Sequence, residues 1–460
     1  MSSRSSATDA ASQASPSRAA SRELPWRAAW LVFAVALGAR VLAIVALHSI
    51  DAVSKGPWEF GFEAASIADS IHSGRGFSSP WHRDLAPWNV DSGPTGWLSP
   101  AYPALLARLM DLFGGLVPAT ALALFSIQAL VSSATCVLVW MLGVELGAPR
   151  AGKLAAWTFA LLPGAIWTSA NYVWDTSFVA FGVTAFLWSS LRFARANGLV
   201  WAVQGAGFGA LLLVNPAPLA ILPAAWFGAW CRRREEGGAW TLRARAFAAR
   251  ALVFSGVAFA VVSPWLLRNQ RAFGSMSLRT NLGVELRVGN DDLSTGRYQI
   301  RVHPSNDATQ FRRYLELGEA TYCARAGDEA RAWIREHPAR FAALSLRRAR
   351  LFWVGVDPWN EDRTSDFGTR AVSDPKSWIK FLAYAAVGVL SLVGGIVWAR
   401  RDAAGRVVLL VILLFPPTYY VTHVSERYRM PIEPVLVLAA AKFVTDRFAG
   451  RSRDSVSSAA

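Results

Sequence analysis

Ten apolar stretches, most of them near 20 residues long, recur at about 28–47, 117–142, 153–169, 173–193, 199–214, 216–231, 251–267, 378–398, 407–422 and 431–443. A helix of that length crosses a hydrocarbon core of ~30 Å. A soluble chain of 460 residues, even one 53% hydrophobic, rarely carries so many. The expected fold class is an all-α polytopic membrane protein with about ten transmembrane helices. The first run follows Arg18, Arg22 and Arg27 and exceeds the ~7–15 residues of a secretory signal core, so it reads as a retained anchor. Arg40 lies inside that run, either snorkelling toward an interface or facing a polar cavity.

Charge sets the expected orientation. With the N-terminus in the cytoplasm, counting spans puts Arg150, Lys153, Arg192, Arg195, the cluster Arg232, Arg233 and Arg234, and Arg400, Arg401 and Arg406 on the inner side. The short outer turns near 169–175 and 214–218 carry no Lys or Arg. The net charge of +15 therefore calls for no nucleic-acid partner. The expected location is a cell (inner) membrane, with both termini cytoplasmic. One outer loop breaks the rule: residues 422–430, THVSERYRM, hold Arg427 and Arg429.

The expected organisation is a disordered cytoplasmic tail (1–24), a bundle (25–267) with a first outer loop (48–116), a mostly helical extracytoplasmic region (268–377), three last spans (378–446) and a cytoplasmic tail (447–460). The tail is Ser- and Ala-rich without periodicity. In the long region, 307–327 and 328–337 carry helical patterning, and 338–353 begins with a proline suited to a first turn. Three scattered cysteines and six histidines give no disulfide framework and no metal-site spacing.

The candidate chemistry gathers at the outer edge. If 59–72 is one helix, Phe60, Ala64, Ile67, Ala68 and Ile71 form an apolar stripe suited to a membrane surface, with Glu59, Glu63, Ser66 and Ser70 on the adjoining polar face. Glu59 and Glu63 then neighbour each other, and a carboxylate there can deprotonate an acceptor hydroxyl. The ordinary alternative is a solvated face. Arg427 and Arg429 suit a phosphate, which guanidinium forks bind bidentately, although headgroup anchoring or pairing with Glu426 and Glu433 would also explain them. His423 is a further candidate contact. Asp175, where a span starts, is either a cap or part of an acidic or cation site. Arg268 caps a span and leads into a segment with Asn281, Glu285 and Asn290, where Gly283 and Gly289 allow turns.

These segments together resemble the GT-C class of membrane glycosyltransferases, and more closely bacterial proteins of the dolichyl-phosphate-mannose-protein mannosyltransferase-like and aminoarabinose-transferase-like families. FEAASIADSIHSGRGFSSP is similar to their first-loop block, and GPTGWLSPAYPALLARLMDLFG to the block that follows. SPWLLRN, TNLGVEL followed by GN, HPSN, GEATY, the run from AWIREHP to FW, and RYRMPIEP match later blocks in order, covering about 28–445. The resemblance implies a polyprenyl-phosphate-linked sugar donor, transfer outside the cytoplasm to a lipid, glycan or protein acceptor, and inversion at the anomeric carbon. It maps the first-loop acid to Glu63. Many members have adjacent acids, whereas Glu59 and Glu63 are four apart, so the choice of base stays open between them. Metal use stays open too, a divalent cation being one option. A lipid-linked-sugar flippase and an inactive scaffold are the competing readings. A flippase predicts internal repeats and mid-membrane charges, and no convincing repeat is present.

Overall fold

The computed structural model of the chain describes residues 24–234, 239–356 and 375–457. The tail expected to be disordered lies outside them except for Leu24, as does 357–374 of the long polar region. The described residues are helical, with two isolated β-bridges and no strand.

The order begins with α1 (Trp26–Ala46), α2 (Pro57–His72), α3 (Ala101–Phe113), α4 (Pro118–Glu145), α5 (Pro149–Leu161), α6 (Pro163–Asn171), α7 (Thr176–Arg192), α8 (Gly198–Val214), α9 (Leu222–Arg234) and α10 (Trp240–Phe273). A polar cap follows, made of α11 (Leu282–Gly289), α12 (Ala308–Leu317), α13 (Glu319–Glu336) and α14 (Pro338–Val354). The chain closes with α15 (Pro375–Ala399), α16 (Ala403–Leu414), α17 (Pro417–Val421) and α18 (Glu433–Ser457).

This is an all-α polytopic membrane protein. Among the described residues, five segments are long and apolar enough to cross a membrane: Trp26–Ala46, Pro118–Glu145, Trp240–Phe273, Trp378–Ala399 and Ala403–Val421. Other expected spans are shorter, and proline explains two breaks, one of them inside Ala403–Val421 itself. The run expected at 153–169 divides before Pro163, and Leu162 turns extended (ψ 118°), as a residue ahead of proline prefers. The run at 407–422 divides into α16 and α17 at Pro416 and Pro417. Elsewhere the helices cross closely through small residues: a Cβ on Gly205 of α8 would meet the Phe254 carbonyl of α10. Arg40 does not snorkel. It is fully buried, donating to Ser132 Oγ (2.9 Å) and to the Ala36 and Ala160 carbonyls.

The cap and the first loop share one core. Trp58, Trp81 and Trp97 of the loop pack with Val284, Phe311, Tyr314 and Tyr322 of the cap. At its edge the buried Glu319 carboxylate accepts from Thr95 Oγ1 (2.6 Å), Gly96 N (2.6 Å), Thr280 Oγ1 (2.5 Å) and Tyr314 Oη (2.8 Å). Helix boundaries in the cap differ from the patterned ones. The break falls at Gly318, whose φ of +71° suits glycine, and α13 runs on through Gly327. Gly283 and Gly289 are not turn residues. They lie in α11, where a Cβ would strike the Cys323 and Thr422 carbonyls, so their role is close approach of backbone to backbone.

Candidate functional site

The first correction concerns α2. It is not one continuous helix from residue 59, because Gly61 (φ −155°, ψ 25°) and Phe62 (φ 49°, ψ −135°) break it. A positive φ at a phenylalanine costs on the order of 1–3 kcal/mol. Packing supplies the compensation. The Phe62 ring stacks on Trp174 at 5.9 Å and meets Trp58 edge-on at 5.6 Å. Gly61 is required because a Cβ there would stand 2.6 Å from Val173 Cγ1. The kink destroys the four-residue register of the two acids: Glu59 is exposed, and Glu63 is half-buried beyond the break. Nor does α2 lie on a surface with a wet face, since Ser66 and Ser70 are buried alongside the apolar stripe.

Glu63 faces a cluster drawn from three parts of the chain. Withdrawal from water raises its carboxyl above the usual range, and Arg427, Arg83 and the Trp81 indole act against that rise. Arg427 lies flat on Trp174, its guanidinium carbon 3.5 Å from the ring centroid. Arg83 lies over Trp58 at 3.9 Å and donates to the Ser305 carbonyl at 2.6 Å. Glu285 of α11 is the second acid. Its carboxyl stands at about 7, raised mainly by burial and also by Glu63, with Arg427 and Arg279 acting against the rise. The Tyr298 hydroxyl is raised by burial and by the charges of Glu63 and Glu285. The loop carrying Arg427 is tied to the cap by the Arg297–Val424 bridge and by Val424 N donating to the Gly296 carbonyl at 3.3 Å.

The other expected contacts have structural partners. Arg429 is fully buried, two residues from Arg427. It forks onto Glu433 at 2.7 and 2.9 Å, donates to the Trp353 and Tyr384 carbonyls, and stacks on Tyr384 at 3.3 Å. Its donors are committed inside the protein, which removes it as a phosphate ligand. Arg268 is half-buried and clamps the first loop, donating to the Thr95 and Phe77 carbonyls at 2.6 and 2.9 Å. Asn290 is buried, donating to the Leu286 and Val421 carbonyls and accepting from Arg348 at 3.1 Å. Asp175 makes no side-chain cap. It pairs with Arg279 (3.1 Å) and accepts from Asn215 (2.9 Å).

His423 does join the cluster. It is buried, its Nε2 lies 2.8 Å from the Tyr428 hydroxyl, and its Nδ1 is 3.5 Å from Glu285. Burial and Arg427 push its pKa down to about 3, so it is neutral. Among the described residues no group of three His, Cys, Asp or Glu side chains is placed to hold a metal ion. The sequence alone did not single out Arg83, Tyr298 or Arg279, and marked Glu285 only as one polar residue of the segment after Arg268. None has a local signal, because each gains its place only when the cap closes on the first loop.

No protein-family model matches the chain, and no curated protein matches it. Solved structures do. The chain is similar to the archaeal oligosaccharyltransferase AglB from Archaeoglobus fulgidus in complex with an inhibitory peptide and a dolichol-phosphate, with 14% identity, a TM-score of 0.52, and 94% of this chain and 52% of that one covered. The apo form of the Archaeoglobus fulgidus oligosaccharyltransferase aligns at 15% identity and a TM-score of 0.45, over 92% and 52%. The chain thus spans about half the length of the structures it matches. What it shares with AglB is the fold of the aligned region.

Proposed function

We propose that this protein is a membrane glycosyltransferase that moves a sugar from a polyprenyl-phosphate donor to an acceptor hydroxyl or amide at the non-cytoplasmic surface. The observation that carries this reading is that Trp174 joins the two loops, its ring meeting both Phe62, next to Glu63 in the first loop, and Arg427, from the loop before the last helix. In this reading Arg427 meets the lipid phosphate, where negative charge grows as the sugar–phosphate bond breaks. Glu63 takes the proton of the attacking acceptor, and a positioned base of this kind gives typically ~10²–10⁴-fold. Its raised pKa brings its basicity closer to working pH. Attack opposite the phosphate would invert the anomeric carbon.

The likeness to AglB supports the reading at the level of fold, and AglB itself was seen with a dolichol-phosphate. The positive-inside pattern supports a site facing away from the cytoplasm. The test is transfer by purified protein from a panel of radiolabelled polyprenyl-phosphate sugars, with membrane extract as acceptor. Glu63→Gln should abolish transfer and Glu59→Gln should largely keep it. Polyprenyl-phosphate binding without transfer from any donor would favour a lipid-linked-sugar transporter.

A further inference from the structure

The Glu285 carboxyl sits between two kinds of partner. On one side Asn281 Nδ2 donates to Oε1 at 2.8 Å. On the other, His423 Nδ1 lies 3.5 Å from Oε2 and has no hydrogen-bond partner of its own, although His423 is only 2% exposed. The far nitrogen of the same ring meets the Tyr428 hydroxyl, which can donate or accept. A neutral imidazole carries one N–H, on either nitrogen. With the proton on Nδ1, His423 offers a donor to an ionised Glu285 while Tyr428 donates to Nε2. With the proton on Nε2, Tyr428 accepts and Nδ1 is left to accept from a protonated Glu285. A small shortening of that 3.5 Å gap would let the ring meet either state of the acid without becoming charged.

We propose that Glu285 is a proton-exchanging partner of the phosphate site: it shares the charge of Arg427 in the empty protein and takes up a proton from water when a lipid phosphate arrives. This rests on the assignment of Arg427 to the phosphate. The charged and titratable groups facing Glu285 are Glu63, Arg427, Arg279, Tyr298, His423 and Cys323. Arg279 is committed to Asp175, which leaves Arg427 as the cation that Glu63 and Glu285 share. A phosphate against that cation adds like charge to both carboxylates and disfavours their ionised forms. Glu285, with its carboxyl raised to about 7 and a neutral histidine beside it that can accept a hydrogen bond from the protonated form, gives up its charge first. Glu63 then stays ionised for the acceptor. The proton returns to water as the phosphate leaves, so the exchange is balanced over a cycle.

The test is calorimetric binding of undecaprenyl phosphate to the full-length protein in detergent, in buffers of differing ionisation enthalpy at about pH 8. The dependence on buffer enthalpy gives protons taken up per lipid bound. The phosphorus NMR shift of the bound lipid reports the phosphate's own protonation in each variant, and that share is subtracted from the uptake. Wild type should take up most of one proton more than Glu285→Gln, which retains the shape of the side chain and should still bind. Equal uptake in wild type and Glu285→Gln, or a difference that vanishes only in Glu63→Gln, would overturn the proposal and leave the transferase reading standing. Absence of binding to wild type would overturn both.

Discussion

Arg427 and Arg429 are two residues apart, yet removing them should have opposite kinds of consequence. Arg429→Ala leaves the Glu433 carboxylate, 1% exposed, without its cation, and strips a donor from each of the Trp353 and Tyr384 carbonyls. Breaking a buried pair on one side costs about 3–5 kcal/mol. That is a third or more of a typical total near ~10 kcal/mol. Arg427→Ala removes a half-buried guanidinium stacked on Trp174, worth about 0.5–2 kcal/mol. Unfolding in detergent, followed by fluorescence of the 21 tryptophans, measures the difference. The double variant Arg429→Ala, Glu433→Ala has no orphaned charge, so it should recover at least half of the single-variant loss. Meanwhile Arg427→Ala should fold normally and lose affinity for polyprenyl phosphate. The reasoning fails if Arg429→Ala is as stable as wild type while losing that affinity, or if the double variant is no better than the single.

Gly61→Ala should disturb the kink, since its Cβ would press on Val173, and lower transfer by tenfold or more (about 1.4 kcal/mol) while Glu63 itself is intact; unchanged transfer would show that the kink does not set the acid. Glu319→Ala removes the acceptor of four donors joining loop and cap, costing about 2–5 kcal/mol, and limited proteolysis should cut the 73–100 loop faster than in wild type. Glu285 carries the pH dependence of stability. Its folded pKa of about 7 lies above an ordinary carboxyl, so the unfolded chain binds fewer protons between the two values, and stability falls as pH rises through that window. Glu285→Gln should therefore be more stable than wild type by about 1–3 kcal/mol near pH 8 and no different near pH 4, measured by denaturant titration. The acid limb of transfer should sit above the usual glutamate range because Glu63 is raised, and transfer should drop as pH falls through it.

The sequence by itself determined the membrane architecture. Apolar runs of bilayer length read directly as helices, because a lipid-embedded backbone has few other ways to satisfy its polar groups. It also marked FEAASIADSIH and HVSERYRMPIEP as the stretches that carry the candidate residues. What it did not decide is which side chain in each stretch joins the cluster around Glu63. Periodicity predicted that Glu59 and Glu63 share a face, but Gly61 and Phe62 turn the chain between them, driven by Val173 and Trp174 about a hundred residues away. Two arginines in RYRMP look alike in one dimension. Only the tertiary structure gives one to Glu433 inside the bundle and the other to Trp174 beside Glu63. Glu285, Arg83 and Tyr298 join them for the same reason: the cap packs its aromatic residues onto the first loop, and that burial lowers the local dielectric enough for their charges to act on one another.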